Sequence, residues 1–240
     1  MPDDSRPVAT LTRPAPAGAP KPPAGLGPHQ GLIDQLRQIV GPEHLATADD
    51  DRAFFAEDTY RSLETPLAAV SPANVDELSR VASACSRAGV ALVPRGGGMS
   101  YTDGYLHTRP QSVTVDMRRM DKILEINETD MYVTVECGCT WAALNAALKA
   151  RNLRTPYWGP LSGLKSVVGG ALSQNSIFFG SGFYGSAVEQ AVGLTVVLAD
   201  GSVLPLGGHA IARGKPFMKH YGPDLMGLFL ADAGAMAIKA

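Results

Sequence analysis

Charge is scarce in this chain. Asp, Glu, Lys and Arg make up 18% of its 240 residues, and 21 basic against 23 acidic side chains leave a net charge of -2. That balance gives no electrostatic drive toward nucleic acid or an anionic membrane surface. Cys85, Cys137 and Cys139 are the only cysteines. They are too few for a disulfide scaffold, and the 137/139 pair is too tightly spaced for a zinc site. They are read as reduced core thiols of a cytoplasmic protein. His29, His44, His107, His209 and His220 show no metal-ligand spacing either, so no metal is expected. No apolar run reaches the roughly 18 residues of a membrane span. What is present is 45% hydrophobic content, enough for a sizeable core, with 26 glycines and 18 prolines.

The prolines cluster first. Eight lie within residues 1–28, where large apolar side chains are rare. Such a segment cannot bury enough surface to offset its ordering entropy and is expected to be a disordered tail. It lacks the continuous apolar region of a secretory signal. Folded structure is expected from about residue 29 to 240.

Periodicity places the elements. Leu32, Ile33, Leu36, Ile39 and Val40 recur at helical spacing, and Gly41-Pro42 ends that helix. Residues 67–70 read as a strand. Asn74 caps a second helix, with Glu77 as its capping-box partner and Gly89 as its stop. Strands are expected at 90–93, 112–116, 121–126 and 131–137, the last with Met131, Val133, Val135 and Cys137 on one face. Thr140 caps a helix through Ala150. Residues 154–187 form a long irregular stretch, too long for a bare connector. A buried strand at 192–198 enters a two-residue turn, Asp200-Gly201, and a strand at 202–206. A short helix over 223–229 and a last strand from Ala235 complete the reading.

The glycines are placed rather than scattered. PRGGGMSYTDG at 94–104 follows a strand and gathers several backbone N–H groups in a tight turn, a nest suited to a diphosphate. It matches neither the G-x-G-x-x-G fingerprint nor a Walker loop. SVVGGALSQNS at 166–176 and GSGFYGSAVEQAVGLTVVLADG at 180–201 add two more Gly/Ser loops, each read as lying beside a strand. Three such loops can line one groove for a long phosphorylated cofactor.

In order and spacing these runs resemble the FAD-binding domain of FAD-linked oxidases, the vanillyl-alcohol oxidase and p-cresol methylhydroxylase superfamily that includes glycolate and D-lactate dehydrogenases. PLAAVSPANVDELSRVASACSRAGVALVPRGGG at 66–98 and GPDLMGLFLADAGAMAIK at 222–239 extend the resemblance to about residues 50–240. It implies an α+β, two-subdomain PCMH-type fold with FAD held between the halves. The last strand would be cut short, leaving its neighbour as an exposed edge, and the substrate (cap) domain would be absent.

The resemblance also implies roles. Arg95, Gly96, Gly97, Gly98, Met99 and Ser100 would hold the pyrophosphate. Pro160, Leu161, Ser162, Ser166, Val168, Gly169 and Gly170 would follow the ribityl chain and flavin edge. Asn175 and Ser176 would add polar contacts, Gly185 and Ser186 would sit near the diphosphate and adenosine, and Val196 on the adenine side. Met99 stands where some members carry a flavin-linked His, so non-covalent FAD is expected. The expected activity is oxidation of a small-molecule 2-hydroxy acid or related alcohol by hydride transfer to flavin N5, once combined with a substrate domain. The alternative is a non-catalytic FAD-binding subunit, or a truncated fragment, whose chemistry needs a partner chain. No catalytic residue is assigned. Tyr157, Trp158, Tyr184, Glu189 and Lys165 are weighed near the flavin and read as structural or solvated.

Overall fold

The computed structural model describes residues 27–156, 162–210 and 223–240. The expected tail lies outside these up to residue 26; Gly27–His29 form a single 3-10 turn.

The first half is built on a mixed four-stranded sheet. Its strands are β1 (Leu45–Ala46), β2 (Ala68–Val70), β3 (Ala91–Arg95) and β4 (Ser112–Asp116), in the order β1-β2-β4-β3. Helices α1 (Gln30–Val40) and α3 (Val75–Arg87) pack on it, and α2 (Asp49–Phe55) lies between β1 and β2 in the chain. α1 and α3 form for the reasons their sequences suggest. The Asn74 side chain accepts from the Glu77 N–H at 2.9 Å, and the Glu77 carboxylate takes the Ala73 N–H at 2.8 Å. Leu78, Val81, Ala82 and Cys85 are fully buried beneath α3. A fully buried Leu or Val is worth about 1.5–3 kcal/mol.

β4 runs parallel to both β2 and β3 and is buried at all five positions. Val113 and Val115 enter the apolar core. On the opposite side Ser112 and Thr114 bond His107, through Nδ1 at 2.7 Å and Nε2 at 2.8 Å. Ser112 Oγ donates to the Arg109 carbonyl, so it accepts from His107 Nδ1–H, and Thr114 donates to Nε2. Parallel strands cannot be joined by a tight turn. The chain therefore returns from β3 to β4 through residues 96–111, and that return carries the first glycine loop.

The second half holds the hairpin β5 (Ile123–Asn127) and β6 (Tyr132–Val135), helix α4 (Trp141–Lys149), and α5 (Val168–Gln174). These share a core of Trp141, Leu144, Leu148 and Ala171. A four-residue helix, α6 (Ser181–Tyr184), precedes a second antiparallel sheet, ordered β8 (Val203–Gly207), β7 (Gly193–Val197), β9 (Ile238–Lys239). Among the described residues no helix is long and apolar enough to cross a membrane.

Several expectations are corrected. The 154–187 stretch contains α5 and α6. Met131 does not share the Val133 and Val135 face; it sits in the hairpin turn at φ 56 and is exposed. Cys137 leaves the strand and joins the other core. The β7–β8 turn has three residues, Ala199–Gly201, because the Leu198 N–H bonds the Ser202 carbonyl and Gly201 takes φ 93. The 223–229 helix is a 3-10 turn, Leu225–Leu228. β9 pairs with Val196–Val197, so β7 is flanked on both sides and is not an exposed edge.

Candidate functional site

Arg95 ends β3 and is almost wholly buried. Its Nη1 donates to the Glu57 carbonyl at 2.8 Å, and its guanidinium lies over the rings of Tyr105, Phe54 and Phe55 at 4.7, 5.1 and 5.5 Å. Burial pulls its pKa below the usual arginine value. Gly98 passes over this guanidinium at φ 65. The loop is tied at several points. Tyr105 donates to the Ser100 carbonyl at 2.8 Å, Asp103 pairs with Arg61, and Thr102 donates to Gln174 on α5 at 3.0 Å.

The second loop meets the first along their backbones. A Cβ on Gly97 would overlap the Lys165 carbonyl, and one on Gly96 would meet the Val167 side chain. Residues 166–169 are in turn hung on the 137–141 segment: Trp141 N–H to Ser166 O at 3.1 Å, Val168 N–H to Cys139 O at 2.9 Å, Gly169 N–H to Cys137 O at 2.8 Å. Gly169 permits that approach, since a side chain there would strike Cys137, and Gly138 in turn lets its segment lie on the Met117 and Met120 carbonyls. Asn175 closes α5 in the left-handed region at φ 48, and its Oδ1 is buried with no hydrogen-bond partner.

Between the loops runs a trench of about 1050 Å³, with the 233–239 segment along it. Its size sits at the upper end of the roughly 300–1,000 Å³ usual for small-molecule sites. Gly96–Ser100, Arg95, Ser162, Ser166, Gly169, Gly170, Asn175 and Ser176 all line it. Pro160 and Leu161, like Tyr157 and Trp158, lie outside the described residues. Val168, Gly185, Ser186 and Val196 are not on the lining. Val168 packs into the second core. Ser186 and Glu189 form a capping box, with the Ser186 N–H donating to Glu189 at 2.6 Å. Val196 is fully buried in the middle strand of its sheet. Tyr184, Glu189 and Lys165 are also absent from the lining.

Other lining residues escaped sequence reasoning: Tyr101, Thr102, Gln174 and, most importantly, Lys239. Lys239 Nζ donates to Asp232 at 2.6 Å, and both side chains are nearly inaccessible. Burial pulls the Lys239 pKa down, while Asp232 opposes the shift. Among the described lining residues the only formal charges are Arg95 and Lys239, both positive, and no carboxylate is present. Cys137 lines the trench too, but burial pushes its thiol up to about 12, so it is no nucleophile.

This geometry is that of a PCMH-type flavoprotein domain. The fold matches p-cresol methylhydroxylase with substrate bound, at TM-score 0.77 and 20% identity over 90% of this chain and 43% of that one. The sequence profile of an FAD binding domain matches residues 66–207, and the chain belongs to that family. It is 32% identical to the glycolate oxidase subunit GlcD of Bacillus subtilis, over 85% of this chain and 42% of that protein. It is 26% identical to D-lactate dehydrogenase [cytochrome] 1, mitochondrial, of Saccharomyces cerevisiae, over 86% of this chain and 35% of that protein. The chain thus spans about two-fifths of the length of these relatives.

The residues present fit FAD. A lining without carboxylates, with the buried Arg95 guanidinium behind the first glycine loop, suits a diphosphate, and the orphaned Asn175 Oδ1 asks for a ligand N–H.

Proposed function

We propose that this chain is the FAD-gripping part of a flavin-dependent oxidoreductase acting on a 2-hydroxy acid or related alcohol. The observation that carries this reading is the carboxylate-free trench between two crossed glycine loops, holding Arg95 and Lys239. When bound, FAD would supply the redox chemistry, as the acceptor of a hydride from the substrate carbon. Gly96, Gly97, Gly98 and Ser100 present backbone donors to the diphosphate, and Arg95 sets a fixed positive charge behind them. Ser162, Ser166, Gly169 and Gly170 flank the rest of the cofactor. Asn175 Oδ1 accepts from an N–H of one of its rings. Attachment is non-covalent: position 99 is Met, and the lining cysteine stays protonated.

None of the described lining residues is Asp, Glu or His. In this reading a base for the substrate hydroxyl is supplied by a substrate-bearing domain or partner chain. Exposed Met99, Tyr101, Ile177 and Phe179 leave an apolar mouth for such a domain to cover. The same observation supports a second reading, in which the chain is an FAD-binding subunit without chemistry of its own.

The test is the spectrum of the purified chain. A flavin absorbance that denaturation releases into solution as intact FAD is the expected result. Bleaching on anaerobic addition of glycolate or D-lactate, by the chain alone or joined to a substrate-bearing domain, supports the oxidoreductase reading, and bound flavin that bleaches in neither case supports the subunit reading. A colourless chain that takes up no added FAD overturns both.

A further inference from the structure

The first glycine loop is also held from outside. After α2 the chain makes a tight turn at 57–62 before it reaches β2. Glu57 and Ser62 pair across its base, and the Asp58 N–H bonds the Arg61 carbonyl at 2.9 Å. Asp58 Oδ1 fixes the tip by accepting the Tyr60 and Arg61 N–H groups at 2.7 and 2.9 Å. The base is seated on the buried Arg95 guanidinium through the Glu57 carbonyl.

The tip grips the loop. Arg61 donates to both carboxylate oxygens of Asp103, from Nε to Oδ1 at 3.0 Å and from Nη2 to Oδ2. The rings of Tyr60 and Tyr101 meet edge to face at 6.0 Å. Thr59 Oγ1 donates to the Ser100 carbonyl at 3.4 Å. Ser100 and Tyr101 line the trench, whereas Thr59, Tyr60, Arg61 and Asp103 do not. The turn therefore braces one trench wall from behind.

These contacts open easily. Thr59, Tyr60, Arg61 and Tyr101 are exposed, and among the described residues none of 57–62 belongs to an apolar core. Contacts without buried apolar area sit at the low end of local stability. Closure also carries two costs. Asp103 is held in the left-handed region at φ 61, and Asp58 Oδ2 is buried without a hydrogen-bond partner. An open turn relieves both. The flanks stay fixed, because Phe55, Ala56 and Thr65 are buried.

We infer that the 57–62 turn is a clasp on the first glycine loop, with the Arg61–Asp103 pair as a salt-sensitive catch that sets how fast the trench releases its ligand. An exposed ion pair is weak and screened by salt, which suits a catch that must open. The inference rests on the FAD reading above for its ligand and adds a control on release that involves no contact with the cofactor.

The full chain is loaded with radiolabelled FAD and chased with excess unlabelled FAD, at low and at high KCl. Asp103→Asn removes the charge but keeps a residue that tolerates left-handed backbone. Arg61→Gln breaks the pair from the other side, so a fold defect in one variant leaves the other as the test. Each is expected to release FAD about twofold to fivefold faster at low salt. Tyr60→Ala/Arg61→Gln, which also removes the ring contact, is expected to reach about tenfold. Wild-type release quickens with KCl, and Asp103→Asn and Arg61→Gln lose most of that response. Arg61→Lys, which retains the charge, keeps it. Thermal melts of the flavin-free single variants stay within about 2 °C of wild type, since the pair is exposed.

Folded single variants that release FAD at the wild-type rate overturn the inference. So does faster release with the wild-type salt response, which would place the effect on the loop backbone rather than on the catch. A wild type that takes up no FAD overturns the FAD reading itself, and the inference with it.

Discussion

The loops at 94–104 and 180–186 look alike on paper, each a run of glycine and serine beside a regular element, yet they do different work. In the first, Gly96 and Gly97 are pressed against Val167 and the Lys165 carbonyl, and the loop lines the trench. In the second, nothing lies within 4 Å of where a Gly182 Cβ would be, and a Gly185 Cβ would meet only the Glu189 carboxylate. None of its residues faces the trench. A glycine marks close approach or a special dihedral; it does not say what approaches. Here the nearest neighbour of the pyrophosphate-type loop is another stretch of the same protein.

The contrast breaks most sharply at Gly97. Gly97→Ala places a methyl group in a backbone carbonyl that cannot rotate away, and a loss of about 3 kcal/mol or more is expected. Gly182→Ala, inside α6 with open space around it, is expected to stay within about 0.5 kcal/mol of wild type, or to stabilise slightly. Denaturant melts of the two variants decide this. Equal losses would mean that loop crossing does not explain the first glycine run.

A smaller effect sharpens the comparison from the other end of the same loop. His107 anchors the return to β4, and burial lowers its pKa from 6.5 to about 4. Its folded value lies below its unfolded one, so the unfolded chain binds the extra proton first. Stability is full above about 6.5, falls as pH drops toward about 4, and levels off there, for a total of about 3 kcal/mol. His107→Gln is expected to lose this part of the pH dependence. A variant whose melting curve still tracks the wild type between those values would assign the loss to carboxylates elsewhere.

The smallest effect lies in the turn that sets up Lys239. Ala231 and Ala233 both adopt positive φ, where a methyl group is strained by about 1–2 kcal/mol. Ala233→Gly is expected to stabilise by about 0.5–1 kcal/mol, the relief exceeding the added chain entropy. A melting temperature that falls instead would show that the Ala233 methyl, which lies near Gly104, is needed for packing.

Much of the framework was legible. α1, α3, α4, β4 and β7 follow from periodicity and from caps at Asn74 and Thr140, because their signals are local and their buried faces repeat at the expected spacing. α5 was not, because paired glycines are poor helix formers; in the fold it packs with Gly169 directly against Cys137, where a side chain would not fit. Of the trench lining, the glycine runs within 94–104 and 166–176 could be picked out by composition, and Ser162 only through the family resemblance. Gly185, Ser186 and Val196 could not be sorted from them, since a glycine serving a local turn and one serving a trench read the same. Lys239 gave no signal at all: a lone Lys beside a chain end usually points to water.

The sequence by itself determined which segments become helices and strands, and which loops are free of Cβ atoms and so able to pack backbone on backbone. Both are properties of neighbouring residues. Only the tertiary structure decided which of those loops meet, and that Asp232 and Lys239 are buried together. Burial and the sharing of a counter-charge depend on what distant chain closes over a residue, and no local pattern encodes that.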